Sequence, residues 1–182
     1  MGDSSLRHVQ TATEPIPKTN FIQISCDNTL YPLLCYKSLS KYANKIQTSP
    51  KLLANTSLSV ALSATRSTSL MMKNISKTQG LKPREKAAML DCVEEVSDSV
   101  YQLHNSMKEM EKANSGGSNF EFLMSNIQTW TSAALTDDDT CLDGFSGNAM
   151  NGQIKTLVRS RVLKIVHLTS IALAFINNYA AN

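Results

Sequence analysis

The sequence predicts an all-α protein, an antiparallel four-helix bundle preceded by an N-terminal helical hairpin and held by two disulfides. Three observations predict this fold. Apolar residues recur at steps of three and four along most of the chain, which marks one buried stripe on each helix. Proline and glycine divide the chain into segments of helical length. The four cysteines fall where a helical hairpin would bring them into pairs.

One domain is the expectation for a chain of 182 residues. Residues 1–19 are polar, carry Pro15 and Pro17, and show no periodicity, so we predict a mobile N-terminal arm. Residues 20–182 are predicted to form the domain, with the helical hairpin in 20–48 and the four-helix bundle in 49–182. Within the hairpin the chain turns near Pro32, and the simplest disulfide joins the neighbours Cys26 and Cys35.

The bundle helices follow from caps, breakers and apolar stripes. The first begins at Ser49, an N-cap before proline, and continues to about Lys77, with a Ser/Thr-rich middle that must rely on packing. The second follows Pro83 and carries the stripe Met89, Cys92, Val96, Val100, Leu103, Met107 and Met110. The third is predicted roughly from Asn119 to Leu135, with the stripe Phe120, Leu123, Ile127, Trp130 and Ala134. After a loop over 143–152, the last runs from about Gln153 to Tyr179, with the stripe Ile154, Val158, Val162, Ile165, Leu168, Ala172 and Ile176.

A second disulfide is predicted between Cys92 and Cys141. When the chain folds back at Gly116 and Gly117, these two cysteines come level, because each lies 24 residues from the nearer glycine. Cysteines can be bridged when their Cα atoms approach within about 7 Å. In the chain-entropy model a loop of this length contributes about 4 kcal/mol. The alternative is a pair of buried free thiols.

Composition excludes several classes of function. The net charge is +3, the charges are scattered along the chain, and no basic run is interleaved with aromatics, so nucleic-acid binding is not expected. No apolar stretch approaches the roughly 20 residues that span a bilayer, so no membrane segment is expected. Two disulfides indicate secretion, and the sequons at Asn55 and Asn74 agree as candidate N-glycosylation sites. The N-terminus lacks a signal peptide's apolar core, so we expect a mature or trimmed chain.

No catalytic or metal-binding constellation is visible. The histidines His8, His104 and His167 lie in the arm and on two helices, without a ligand partner one turn away. The run 137–139 is acidic but lacks the alternating ligands of a calcium loop, and we interpret it as a solvated helix end. We therefore predict that the protein is not an enzyme and has no cofactor.

A surface remains as the candidate site. Glu94, Asp98 and Tyr101 are spaced to share one face of the second bundle helix, turned away from its apolar stripe. Asp143 would be held near the start of that helix by the disulfide. The face is interpreted either as solvated acidic surface or as a protein interface, where polar residues surround an exposed aromatic.

The chain resembles the plant invertase/pectin methylesterase inhibitors from about Phe21 to the C-terminus. The matching motifs are Ser25-Cys26, Tyr31-Pro32, Cys35, Leu90-Asp91-Cys92-Val93-Glu94-Glu95, Trp130-Thr131-Ser132-Ala133-Ala134-Leu135-Thr136, Thr140-Cys141-Leu142-Asp143-Gly144-Phe145 and Ile171-Ala172-Leu173-Ala174. The resemblance implies an extracellular plant protein of the apoplast or cell wall that blocks another enzyme. It also implies the same fold and disulfide pairing.

The resemblance favours the pectin methylesterase branch. Invertase inhibitors tend to carry Pro-Lys-Phe where this chain has 118–120, Ser-Asn-Phe. Carried over by motif, the contacts to the esterase cleft fall at Glu94, Asp98, Thr140 and Asp143. Tyr101 stands where a further acidic contact is expected, and departures at 96 and 171 concern packing.

The function implied is a stoichiometric inhibitor of pectin methylesterase that occludes its cleft and limits pectin de-esterification. The alternatives are an acid invertase inhibitor and the inhibitory pro-region of a pectin methylesterase. A chain that ends at Asn182, without a catalytic domain or a basic processing motif, favours the free inhibitor.

Overall fold

A computed structural model describes residues 17–147 and 152–182. These residues form helices and turns with no strand among them, which confirms the all-α fold. Helices α4 to α7 each pack on the next, and α7 closes on α4, which confirms the four-helix bundle. The helices are α1 (Lys18–Asp27), α2 (Pro32–Leu39), α3 (Ala43–Ile46), α4 (Pro50–Ser76), α5 (Pro83–Lys112), α6 (Phe120–Gly144) and α7 (Gln153–Ala181), with a 3-10 turn at Ser40–Tyr42.

The N-terminal hairpin consists of α1 and α2, joined by the predicted Cys26–Cys35 disulfide at a Cα–Cα distance of 5.5 Å. Its inner face is fully buried and includes Ile22, Cys26, Cys35 and Leu39. The hairpin docks on the bundle where the Tyr31 ring stacks on His167 of α7, with ring centroids 3.7 Å apart. Residues 1–16 of the predicted arm lie outside the described residues, and α1 begins at Lys18.

Helix α4 shows how a Ser/Thr-rich sequence is held helical. The Ser49 hydroxyl caps the helix by accepting a hydrogen bond from the Leu52 amide at 3.2 Å. Inside the helix, hydroxyls donate to the carbonyl one turn earlier, as Thr65 does to Ala61 at 2.8 Å. These bonds satisfy side chains that are buried between α4 and its neighbours, including Ser57, Thr65 and Thr68.

Small residues line the seam between α5 and α6. The buried Thr131 hydroxyl donates to the Ser106 hydroxyl at 3.1 Å, and Ser106 donates to the Ile127 carbonyl at 3.4 Å. Short side chains let the two helix backbones approach closely. The predicted Cys92–Cys141 disulfide joins them, with its Cα atoms 4.6 Å apart. Both predicted disulfides are therefore confirmed, and the described residues contain no free thiol.

Helix α6 is longer than predicted. It continues through the three aspartates and Cys141 to Gly144, whereas the sequence prediction ended it near Leu135. The extension is explained by burial, since Cys141 and Phe145 are almost inaccessible and pack with Met72 and Val158 in the core. The predicted loop over 143–152 is correspondingly shorter at its start, and residues 148–151 lie outside the described part.

Helix α7 is the most apolar element of the bundle. By length and composition it passes as a membrane span, with an 18-residue window of mean hydropathy 1.3, contrary to the sequence expectation. However, 56% of that window is buried inside the protein, against α4 and α6. We therefore interpret α7 as the core helix of the bundle.

The C-terminal turn of α7 is tied to the loop between α5 and α6. The Tyr179 hydroxyl accepts a hydrogen bond from the Ser115 amide at 3.1 Å and donates to the Ala113 carbonyl at 3.2 Å. The Tyr179 ring also meets Phe120 edge to face, at a centroid distance of 5.3 Å. The loop turns at Gly116, whose φ of +82° lies in the region that favours glycine.

Candidate functional site

The residues predicted to contact a partner are exposed on α5 and α6. Glu94 and Asp98 lie one turn apart on the outer side of α5, while Thr140 and Asp143 lie near the end of α6. Because Cys92 and Cys141 join the two helices, Glu94 and Thr140, which lie close to the two cysteines in sequence, come to the same end of the seam. We call these four residues the α5/α6 face.

Local hydrogen bonds fix the α6 part of this face. The Thr140 hydroxyl donates to the Thr136 carbonyl at 2.8 Å. The Asp143 carbonyl accepts from both the amide and the hydroxyl of Ser146, at 3.0 and 2.7 Å, which ends the helix there. Arg159 of α7 donates to the Leu142 carbonyl at 3.4 Å, adding a cation at the negative end of α6. The Asp143 side chain stays exposed to solvent.

Two further carboxylates lie beside the α5/α6 face, on the seam itself. Burial, together with the carboxylates of Glu95 and Asp98, raises the pKa of Asp137 to about 6. Burial and repulsion from the acidic side chains around it on α5 also raise the pKa of Glu95. Asp137 belongs to α6 and the other two to α5, so acidic residues of the two helices repel one another across the seam.

Asp138 is the most unusual residue of the site. Its side chain is fully buried, so the interpretation of 137–139 as a solvated helix end was wrong. Burial raises the pKa of Asp138 well above its ordinary value, and the hydroxyl of Ser99 offsets the shift only in part. Neither group forms a hydrogen bond of good geometry within the described residues. A neutral carboxyl group is therefore favoured at this position.

Charges are segregated by helix, which corrects the expectation that they are scattered. Helix α6 contains no Lys or Arg, whereas α2, α3, α4 and α7 contain no Asp or Glu. The small net charge concealed this separation, because acidic and basic segments alternate along the chain. In the bundle α5 and α6 form an acidic side, and α4 and α7 form the opposite, basic side.

The site offers charge and shape for binding. No group of three or more His, Cys, Asp or Glu side chains within 17–147 and 152–182 is arranged to hold a metal ion. His104 contacts Arg66 through its Nδ1 at 3.2 Å, and His167 stacks on Tyr31, so both take part in packing. A rigid pair of helices with exposed carboxylates and a hydroxyl is suited to contact a protein partner.

The candidate glycosylation sites differ in exposure. Asn74 is exposed in the last turn of α4, whereas Asn55 is half-buried in the same helix, with its Oδ1 buried and without a partner in the described part. Access favours Asn74 over Asn55, and modification of either remains a prediction.

Sequence reasoning missed Glu95, Asp137 and Asp138 as parts of this region. A signal was present, because position 95 lies only one step from the apolar stripe, at the border of the helix face. The positions of Asp137 and Asp138 depended on extending α6, which the sequence prediction ended too early.

The chain matches the plant invertase/pectin methylesterase inhibitor family over residues 20–175. It is 46% identical to a 21 kDa protein of Daucus carota over 98% of this chain and 93% of that one. It is 48% identical to Pectinesterase inhibitor 11 of Arabidopsis thaliana, over 88% and 81% of the two chains. The fold is similar to the crystal structure of a mutant pectin methylesterase inhibitor from Arabidopsis, with a TM-score of 0.68, 26% identity and coverage of 84% and 92%.

Proposed function

We propose that this chain, which belongs to the plant invertase/pectin methylesterase inhibitor family, binds a pectin methylesterase in a one-to-one complex and occludes its active-site cleft. The observation that carries the proposal is the 48% identity to a protein named pectinesterase inhibitor, together with the exposure of Glu94, Asp98, Thr140 and Asp143 on one pair of helices. The protein would act outside the cell, in the apoplast or wall, where disulfides persist.

Rigidity supports a role in occlusion. The α5/α6 face is carried by two long helices, cross-linked by a disulfide and packed through small residues. Little conformational entropy is lost when such a surface binds, so more of the contact energy contributes to affinity. The protein would then inhibit by covering a cleft, without chemistry of its own.

The affinity of the complex should depend on pH. The carboxylates of Glu95 and Asp137 lie beside the face. The pKa of Asp137 is raised to about 6, so mild acid neutralises this carboxylate in part, and burial raises the pKa of Glu95 in the same direction. The family resemblance implies that the esterase groove itself contains carboxylates. Protonation lowers the repulsion between like charges, so we expect affinity to fall as pH rises from mildly acidic to neutral.

The test is a double substitution, Asp98→Ala with Asp143→Ala, measured by titration calorimetry against a pectin methylesterase. We expect a loss of about 1 to 3 kcal/mol if both carboxylates are hydrogen-bonded at the interface. If repulsion is their main effect, the affinity of the double variant should rise instead, because two like charges are removed. The matched control is Glu111→Ala with Glu121→Ala, which removes the same charge from exposed positions at the other end of α5 and α6.

Circular dichroism checks that each variant is folded. If the Asp98/Asp143 variant keeps both its affinity and its pH slope, or if the control loses as much affinity, recognition lies on another face.

Two alternative functions can be distinguished by inhibition assays with different target enzymes. The family includes inhibitors of invertase, so stoichiometric inhibition of acid invertase, with the esterase unaffected, would select that branch. The chain is also 32% identical to Pectinesterase/pectinesterase inhibitor U1 of Solanum lycopersicum, where it covers 27% of that protein. Such a relationship supports an inhibitory pro-region as the second candidate. It predicts preferential inhibition of an esterase encoded in the same reading frame.

A further inference from the structure

A groove runs between the N-terminal hairpin and the basic side of the bundle. It has a volume of about 500 Å³. We call it the hairpin groove, and the residues of its lining used below are Lys37, Lys41, Tyr42, Ser63, Ser67 and Lys164. With Ser38, three ammonium groups and four hydroxyl groups therefore surround one open surface, with contributions from α2, the 3-10 turn, α4 and α7.

No carboxylate neutralises this groove. The sequence has no Asp or Glu between Asn28 and Arg84, or anywhere after Asp143, and these segments supply every residue of the lining. Within 17–147 and 152–182, the three lysines make no ion pair with an acidic side chain. Tyr42 also lines the groove, and the Lys41 ammonium lies over its ring, 5.1 Å from the ring centroid.

The hairpin groove lies far enough from the α5/α6 face for both surfaces to be occupied at once. The seam of α4 and α7 lies on the opposite side of the bundle from the seam of α5 and α6, since each helix packs mainly on its two neighbours. An anion bound in the hairpin groove would leave the α5/α6 face uncovered. The two surfaces also carry opposite charge, so one class of ligand does not suit both.

We propose that the hairpin groove binds a segment of acidic saccharide chain made of uronate residues, the de-esterified chain that a pectin methylesterase leaves when it hydrolyses the methyl esters of its substrate and releases methanol. The ammonium groups would pair with carboxylates spaced along the sugar chain. The Ser and Tyr hydroxyl groups would form hydrogen bonds with its hydroxyl groups. The choice of ligand rests on the proposed function, whereas the groove and its charge do not. The protein would thereby be retained where the esterase has already acted.

The experiment measures binding of a de-esterified oligogalacturonate of defined length to the intact protein at low ionic strength, by calorimetry. A fully methyl-esterified oligomer of the same length serves as the uncharged probe. The test variant is Lys37→Gln with Lys41→Gln and Lys164→Gln, which removes the charges and keeps most of each side-chain stem. The matched control is Lys73→Gln with Lys77→Gln and Lys86→Gln, exposed positions outside the groove.

We expect the groove variant to lose at least about tenfold in affinity and the control to change by no more than about threefold, with binding that weakens as salt rises. Equal losses in both variants would reduce the effect to net charge and overturn the proposal. Equal binding of the methyl-esterified oligomer would overturn charge recognition. Binding to anionic phospholipid vesicles, without binding to the oligogalacturonate, would overturn the saccharide assignment.

Esterase inhibition by the groove variant separates this inference from the proposed function. Inhibition should be unchanged, because the substituted lysines lie across the bundle from the α5/α6 face. A groove that binds no oligogalacturonate, in a protein that still inhibits the esterase, would remove this inference alone.

Discussion

Loss of the Cys92–Cys141 disulfide should destabilise the protein more than loss of the Cys26–Cys35 disulfide. The two bonds close loops with sequence separations of 49 and 9 residues. In the chain-entropy model these lengths correspond to about 4 and about 2.5 kcal/mol of free energy of unfolding. For a chain of this size, a loss of 4 kcal/mol lowers the melting temperature by about 8 to 16 °C.

The perturbation is a pair of double variants, Cys92→Ala with Cys141→Ala and Cys26→Ala with Cys35→Ala. Alanine is chosen because all four cysteines are buried, and serine would leave hydroxyls in the core. Urea unfolding followed by circular dichroism gives the free energy of each variant, and a thermal scan gives its midpoint. The Cys92/Cys141 variant should also inhibit less strongly near its melting range, since the bond joins the two helices of the α5/α6 face.

The order of the two losses is the decisive result. If the Cys26/Cys35 variant is destabilised as much as the Cys92/Cys141 variant or more, loop length does not govern these bonds. A loss below about 1 kcal/mol for Cys92/Cys141 would likewise refute the entropic argument.

Three further predictions concern the free energy of unfolding, measured by urea titration. Asp138→Asn should stabilise the protein at neutral pH but not at pH 3 to 4. The folded-state pKa of Asp138 is raised, so wild-type stability falls as pH rises above about 3.8, whereas the amide cannot ionise. Equal stability of variant and wild type at both pH values would contradict this. Asp137→Asn should remove a smaller loss, about 1 kcal/mol or less, that develops between about pH 4 and 6, because this carboxylate is partly exposed to water. Leu103→Ala should cost about 2 to 5 kcal/mol at any pH, since Leu103 is fully buried, and a value near zero would show that the core collapses into the space.

The helices could be located from sequence because caps and breakers mark their starts. Ser49 with Pro50, and Pro83 after Gly80, stand at or beside the observed beginnings of α4 and α5. The end of α6 could not be located from sequence, because aspartate is unfavourable in a helix interior and three aspartates in succession resemble a solvated terminus. Tertiary burial of Cys141 and Phe145 outweighs that local preference.

The buried side of α5 was predicted only in part. Hydropathy selected Val100 and Met107, yet these are half-buried, and the fully buried neighbours are Ser99 and Ser106. A closely packed seam admits only short side chains, and apolar periodicity does not report that requirement. The exposure of Glu94 and Asp98 followed directly from their spacing around the same helix.

The carboxylates across the seam were beyond single-sequence reasoning for a different reason. Their interaction depends on the register of α5 against α6, and slippage by one turn would shift Glu95 relative to Asp137 by about 5 Å. The disulfide fixed the register approximately, but the side on which Asp137 emerges required the full length of α6.

The Tyr179 hydroxyl, in the last turn of α7, stabilises a loop that is far away in sequence. The Ser115 amide that it holds is 64 positions away, and the same hydroxyl holds the Ala113 carbonyl. Hydrogen exchange at Ser115 should therefore report the undocking of the last turn of α7, and not only local motion of the loop. Removing residues 179–182 would take away both hydrogen bonds, so we expect proteases to cleave the loop at Gly116 faster in the truncated protein.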